Sequence, residues 1–167
     1  KTGSINASDW DVRISTGLPG KLSDGETAAL DEEIFLAVPK IWEHIEDSRI
    51  CVNLRDFGDS PFISFSGAVP FSRLCEEFCH MADISPEIIF KSDNPASVRD
   101  LIGAGLGVAF WPAYSWGRLT SDKVRLLHIN DIVCRRTIVL SKNPDITIGS
   151  PQDDFYRFIL EYTGTIS

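Results

Sequence analysis

Four cysteines and three histidines are the residues most able to do chemistry. Cys75 and Cys79 stand one helical turn apart with His80 beside them, which supplies metal-donor types but only a single pair and no C-x-x-C. With Cys51 and Cys134 they make four thiols in 167 residues, too sparse for a disulfide framework, and they are expected as reduced core residues. His44, His80 and His128 are scattered, and no G-x-S-x-G, H-E-x-x-H or phosphate-loop pattern accompanies them. Gly103-Ala-Gly-Leu-Gly107 invites a dinucleotide-loop reading. It closes a helix and precedes a strand, however, which is the reverse of the order a phosphate-binding loop needs, so its glycines are expected as left-handed caps. No catalytic residue, metal set or cofactor is expected.

The remaining polar chemistry lies where strands end. Ser64-Phe65-Ser66-Gly67 precedes a helix opened by Pro70, and Ser92-Asp93-Asn94 precedes one opened by Pro95. Such ends offer free backbone N–H groups, a partial positive dipole and small hydroxyl or amide side chains. A carboxylate or another small polar ligand suits that arrangement. In open parallel sheets, ligands bind beyond the carboxyl ends of strands. Ser92 and Asn94 can also serve only as helix caps, Ser64 as strand filler, and Trp111 as core or as an apolar pocket wall.

The elements that position these ends follow from periodicity. Val12–Ser15 patterns as a strand, and Thr16-Gly17-Leu18-Pro19-Gly20 as a turn-rich loop. Acidic residues lead into Glu33–Val38, a continuous apolar run that fits a strand buried on both faces. Phe62–Ser66, a helix from Pro70, Glu87–Lys91, a helix from Pro95 and Val108–Trp111 alternate over about 50 residues, which predicts right-handed crossovers and a parallel sheet. Val124–Ile129 and Arg135–Leu140 read as strands that pair with each other. Ser150-Pro151-Gln152-Asp153 reads as a near capping box, and Phe155, Phe158, Ile159 and Tyr162 recur at helical spacing behind it. The polar first ten residues read as a frayed end.

Composition sets the outer limits. Hydrophobic residues are 43% and charged residues 24%, ordinary globular usage for a chain long enough to bury its own core. There is no apolar run of membrane-spanning length. Asp and Glu outnumber Lys and Arg by 24 to 16, a net charge of -8, which argues against tight binding of nucleic acid by this chain. The basic stretches Lys123–Arg125 and Arg135–Arg136 read as solvated strand edges. Arg13, a charge inside a short apolar strand, either meets solvent or a carboxylate, or reaches an anion.

In order along the chain, Asp9-Trp-Asp11-Val-Arg-Ile14, Glu33–Pro39, Leu54-Arg-Asp56-Phe57, Pro61-Phe-Ile63, Ser92–Val98, Leu101–Val108 and Trp111-Pro112 resemble the effector-binding domain of LysR-type transcriptional regulators. The resemblance implies an α/β, two-lobed, type 2 periplasmic-binding-protein-like fold. Residues 1–38 and 111–167 form the first lobe, incomplete at its N-terminus, and residues 39–110 form the second. Ala37–Pro39 and Ala109–Pro112 are the implied hinge. A small-molecule effector is implied between the lobes, touching Ser15, Thr16, Gly17, Ser64, Phe65, Ser66, Gly67, Ser92, Asn94 and Trp111, and its binding shifts the conformation of a homodimer or homotetramer. DNA is implied to be read only by an N-terminal helix-turn-helix absent from this chain, in a cytoplasmic bacterial protein. The alternatives are a solute-binding protein of a transporter and an enzyme built on the same lobes.

Overall fold

The computed structural model describes residues 10–67 and 69–165, so the expectation of a frayed start falls largely on residues 1–9, outside the described ones. The chain divides into two compact units, one taking the chain up to Glu32 and from Arg136 onward, the other Glu33–Arg135.

In the first unit, β1 (Val12–Gly17) pairs antiparallel with β8 (Arg135–Lys142), from Val12 opposite Lys142 to Gly17 opposite Thr137. Thr16 and Gly17 therefore complete a strand rather than open a loop. The long β2 (Glu26–Pro39) starts here, seven residues before the apolar run that marks it in the sequence. Those seven include Glu32, which is fully buried, and its Oε1 accepts from Arg136 Nε at 2.6 Å. Arg136 is thus no solvated edge residue: a buried guanidinium persists because a carboxylate meets it. The helix α3 (Pro151–Gly164) opens as its capping residues predict, Ser150 Oγ accepting from Asp153 N at 3.3 Å. The Asp153 carboxylate reaches one residue past the cap to accept from Gly149 N at 2.9 Å, and Lys142 Nζ donates to its other oxygen at 2.6 Å. Phe155, Phe158 and Tyr162 stay exposed, with the Phe158 and Tyr162 rings stacked, so the helical spacing marks a face that nothing described covers.

In the second unit, the end of β2 pairs antiparallel with both β6 (Ala109–Pro112) and β7 (Val124–Ile129), and β7 pairs parallel with the two-residue β3 (Cys51–Val52). The expected β7–β8 hairpin does not form among the described residues, because β8 takes β1 as its partner and β7 takes β2 and β3. Arg125 of β7 also departs from a solvated reading. Its Nη1 and Nη2 donate to Glu46 O and Ile45 O, each at 2.7 Å.

The alternating middle of the sequence folds as it reads. β4 (Phe62–Phe65), α1 (Val69–Met81), β5 (Ile88–Ser92) and α2 (Pro95–Gly103) follow in order, and β4 pairs parallel with β5. Phe62 bridges Val108 on its other side, also parallel. The glycine-rich segment after α2 serves this packing. Gly105 has φ +83, and a Cβ on Gly107 would stand 2.4 Å from Pro61 O, so the chain can cross β4 closely only there. β5 is an edge strand, and Ile88, Ile89 and Phe90 are all exposed.

Replacing Arg136 by Met leaves Glu32 buried without its guanidinium. Chemical denaturation at neutral pH is expected to show a loss of about 3–5 kcal/mol, most of it recovered when Glu32→Leu is added. A second measurement follows from Asp153, whose carboxyl is held below the usual range by the Gly149 N–H first and then by Lys142. Its stabilisation is complete above an ordinary carboxylate pKa of about 4 and is lost as pH falls through that value toward the lower folded one. Melting temperatures of Asp153→Asn are therefore expected below wild type at neutral pH and to converge with it in acid.

Candidate functional site

Parallel pairing sets Phe65 opposite Ser92, so both strands end at the same level. Ser66 N continues the ladder by donating to Ser92 O at 2.8 Å. Gly67 then passes so near the second turn that a Cβ would lie 3.1 Å from Asp93 Cβ and 3.2 Å from Asp93 O. Ser66, Lys91, Ser92, Asp93, Ser97 and Asp100 line an open groove there. The structure thus brings together Ser64, Phe65, Ser66, Gly67, Ser92 and Asn94, six of the ten residues proposed from sequence.

Their polar atoms are partly committed. Ser92 Oγ accepts from Asn94 N at 3.1 Å, and Asn94 Oδ1 caps α2 by accepting from Ala96 N at 2.8 Å. Asn94 Nδ2 and the Ser64 and Ser66 hydroxyls make no hydrogen bond to the described residues and remain available. Trp111 sits in the core with Ala37, Ile63, Val98, Ile102, Ala109 and Val124, its ring 5.0 Å from Trp116 in an edge-on contact. Both readings of Trp111 meet in one fact: its indole Nε1 is buried and has no hydrogen-bond partner. In the first unit, Ser15, Thr16 and Gly17 lie in β1, and Thr16 Oγ1 is likewise buried without a partner. Two of the three orphaned side-chain atoms among the described residues therefore belong to the expected contact set. Buried donors without partners are rare in native proteins and call for an explanation. Arg13 is exposed on β1.

Two residues that sequence reasoning passed over lie beside this set. Lys91, which reads only as the end of an apolar strand, lines the groove. Trp116 is the hub of an aromatic group, its ring 4.6 Å from Phe65 and 5.2 Å from Phe71. An aromatic residue just before the turn glycine Gly117 is the signal that could have found it. Under α1, burial and then the nearby Glu76 charge push the Cys79 thiol up to about 11. Burial, followed by Asp131, Cys79 and Glu33, likewise raises Cys134. Both stay protonated thiols and weak nucleophiles.

The parallel β4–β5 pair with its two helices and polar strand ends is the architecture that the resemblance to a type 2 periplasmic-binding-protein-like fold implied. The family model for the LysR substrate binding domain matches residues 4–164, and the chain belongs to that family. The transcriptional dual regulator GltC of Bacillus subtilis is 21% identical over 160 residues, covering 95% of this chain and 53% of the relative. The malonate utilization transcriptional regulator of Klebsiella pneumoniae is 35% identical over 83 residues, 49% of this chain and 26% of the relative. The chain thus spans about half the length, or less, of the curated relatives it matches. Among solved structures, the effector binding domain of QuiR in complex with shikimate superposes with a TM-score of 0.71 at 20% identity, covering 95% of this chain and 74% of that one. The regulatory domain of CcmR from Synechocystis PCC6803 in complex with 2-PG gives 0.74 at 12% identity, covering 93% and 74%. These likenesses confirm the fold expected from sequence, and the regulator names do not favour the transporter alternative.

Gly67→Ala forces its new methyl against Asp93. It is expected to cost about 1–3 kcal/mol by denaturant titration and to widen the groove, and an unchanged midpoint would show that the two turns are not held together by that approach.

Proposed function

We propose that the chain is the effector-sensing domain of a LysR-type, DNA-binding transcriptional regulator. The observation that carries this reading is the pair of orphaned buried atoms, Thr16 Oγ1 and Trp111 Nε1, in residues already expected to touch an effector. A small carboxylate carries acceptors of the kind such donors lack, and in the second unit the Ser66 hydroxyl and the Asn94 amide are available to one. The shikimate named with QuiR is a ligand of that class. In this reading residues 1–38 and 111–167 are the first lobe and 39–110 the second. The protein is a cytoplasmic homodimer or homotetramer that performs no catalysis, and DNA is read by a separate N-terminal module. The net charge of -8 supports placing DNA contact elsewhere. An effector acts only through its different affinities for two conformations, so sensing is a population shift.

Calorimetry of the full-length protein against shikimate and a set of small hydroxycarboxylates tests the reading, with saturable binding by at least one expected. Thr16→Val removes an orphaned hydroxyl at constant shape. It is expected to leave stability within about 0.5 kcal/mol or raise it, while weakening that ligand about tenfold. Ser66→Ala with Asn94→Ala is expected to weaken it further. Unchanged affinity in both variants removes these residues from the site.

A further inference from the structure

The second unit holds a cavity that shares only Ser64 and Phe65 with the expected effector contacts. It lies under α1 against β4 and β5 and has a volume of about 280 Å³. Protein interiors hold few voids larger than a water molecule, and an engineered apolar cavity of about 150 Å³ already takes benzene. A space nearly twice that size is room for a ligand, not a packing fault.

Its walls specify the chemistry. Phe62, Phe65, Phe71, Phe110 and Trp116 line it, aromatic surfaces that accept a flat or alicyclic ring. Cys75 and Cys79 complete the α1 side, and burial keeps the Cys79 thiol protonated and a weak nucleophile. The polar lining has a definite position. Lys91 stands opposite Ser64 in the β4–β5 register, and both line the cavity. Lys91 forms no ion pair and Ser64 Oγ no hydrogen bond among the described residues, so an ammonium and a hydroxyl donor are available side by side. Glu76 and His80, which also line the space, are exposed on α1 as Lys91 is on β5, so solvent screens all three, and Lys91 is the one that Ser64 faces across the strand pair.

We propose that this cavity is a binding site for a monocarboxylate with an aromatic or alicyclic body, its ring among the phenylalanines and Trp116 and its carboxylate at Lys91. Thr16, Ser66, Asn94 and Trp111 do not line the cavity, whereas Ser64 and Phe65 of the expected effector contacts do, so the experiment reads the cavity through Lys91 and Cys75, which the effector reading does not name. Lys91 also lines the polar groove, which places the carboxylate end of the ligand where the two spaces adjoin.

The probe is 3-phenylpropionate, titrated into the full-length protein by calorimetry and tryptophan fluorescence, with 3-phenylpropylamine and acetate as partners lacking the charge sign or the ring. Saturable binding of 3-phenylpropionate alone is expected, weakened about tenfold by Lys91→Gln and unchanged by Arg73→Gln, which removes an equal charge from the exposed side of α1. Cys75→Leu fills the cavity with apolar volume and is expected to abolish binding while the melting temperature holds or rises. In the unaltered protein, saturating probe is expected to slow N-ethylmaleimide modification of Cys75, read by mass spectrometry. The proposal is overturned by no saturable signal up to roughly 10 mM, by amine binding as tight as carboxylate binding, or by wild-type affinity in Cys75→Leu or Lys91→Gln.

Discussion

The parallel pairing of β4 and β5, in step from Ile63 onward after an irregularity between Phe62 and Ile63, is the constraint from which the candidate site follows. With Phe65 opposite Ser92, two chain turns leave the sheet at one level and two helices start beside each other. A one-residue slip would turn Ser64 and Lys91 to the opposite face. Two close approaches hold the register. Gly67 lets its turn lie against Asp93, and Gly107 lets the chain leaving α2 donate from Val108 N to Pro61 O at 2.9 Å. Side chains at either glycine would push the strands apart before any polar group could be presented.

The frame around that register is held by charges taken out of water in pairs or against carbonyls. Glu32 with Arg136 and Asp153 with Lys142 are two such pairs, and Arg125 meets backbone oxygens. Buried pairs of this kind add little net stability, but removing one partner is costly, so they specify which strands pair more than they strengthen the pairing. Against so thoroughly paired a background, Thr16 Oγ1 and Trp111 Nε1 stand out. Arg125 Nε is the third buried side-chain atom without a partner among the described residues, but its guanidinium is held through Nη1 and Nη2, whereas the Thr16 hydroxyl and the Trp111 indole N–H have nothing there, and a ligand supplies a reason.

Much of the fold was legible because local signals agreed with the tertiary outcome. Pro70, Asn94-Pro95 and Ser150-Pro151 open helices at the places where their geometry requires, and the alternation of apolar runs gave the parallel core. The misreadings share a cause. Each turns on a partner distant in sequence. The start of β2 looked polar because Glu32 is buried only by Arg136. The β7–β8 pairing looked natural because the two are neighbours in sequence, yet the 14-residue β2 lies between them in the sheet. Of the site, the strand ends were legible and the cavity was not. Lys91 and Trp116 matter through what packs across from them, which periodicity does not record.

The stripe on α3 shows the same limit from the other side. Spacing at i, i+3 and i+7 states that a helix has an apolar face, not that the face is buried. Phe155, Phe158 and Tyr162 form that face and remain exposed, while the residues buried on α3 are Asp153 and Thr163, both held by hydrogen bonds. α1 gives the contrasting case, since Phe71, Leu74 and Phe78 at the same spacing are all buried. The difference lies in the partner. α1 returns onto β4 through a βαβ crossover that its own connections enforce, whereas among the described residues no strand follows α3 to press its apolar stripe onto a sheet. Topology, more than hydrophobicity, decides which amphipathic faces are buried, and it places the partly open, aromatic-lined cavity beneath α1.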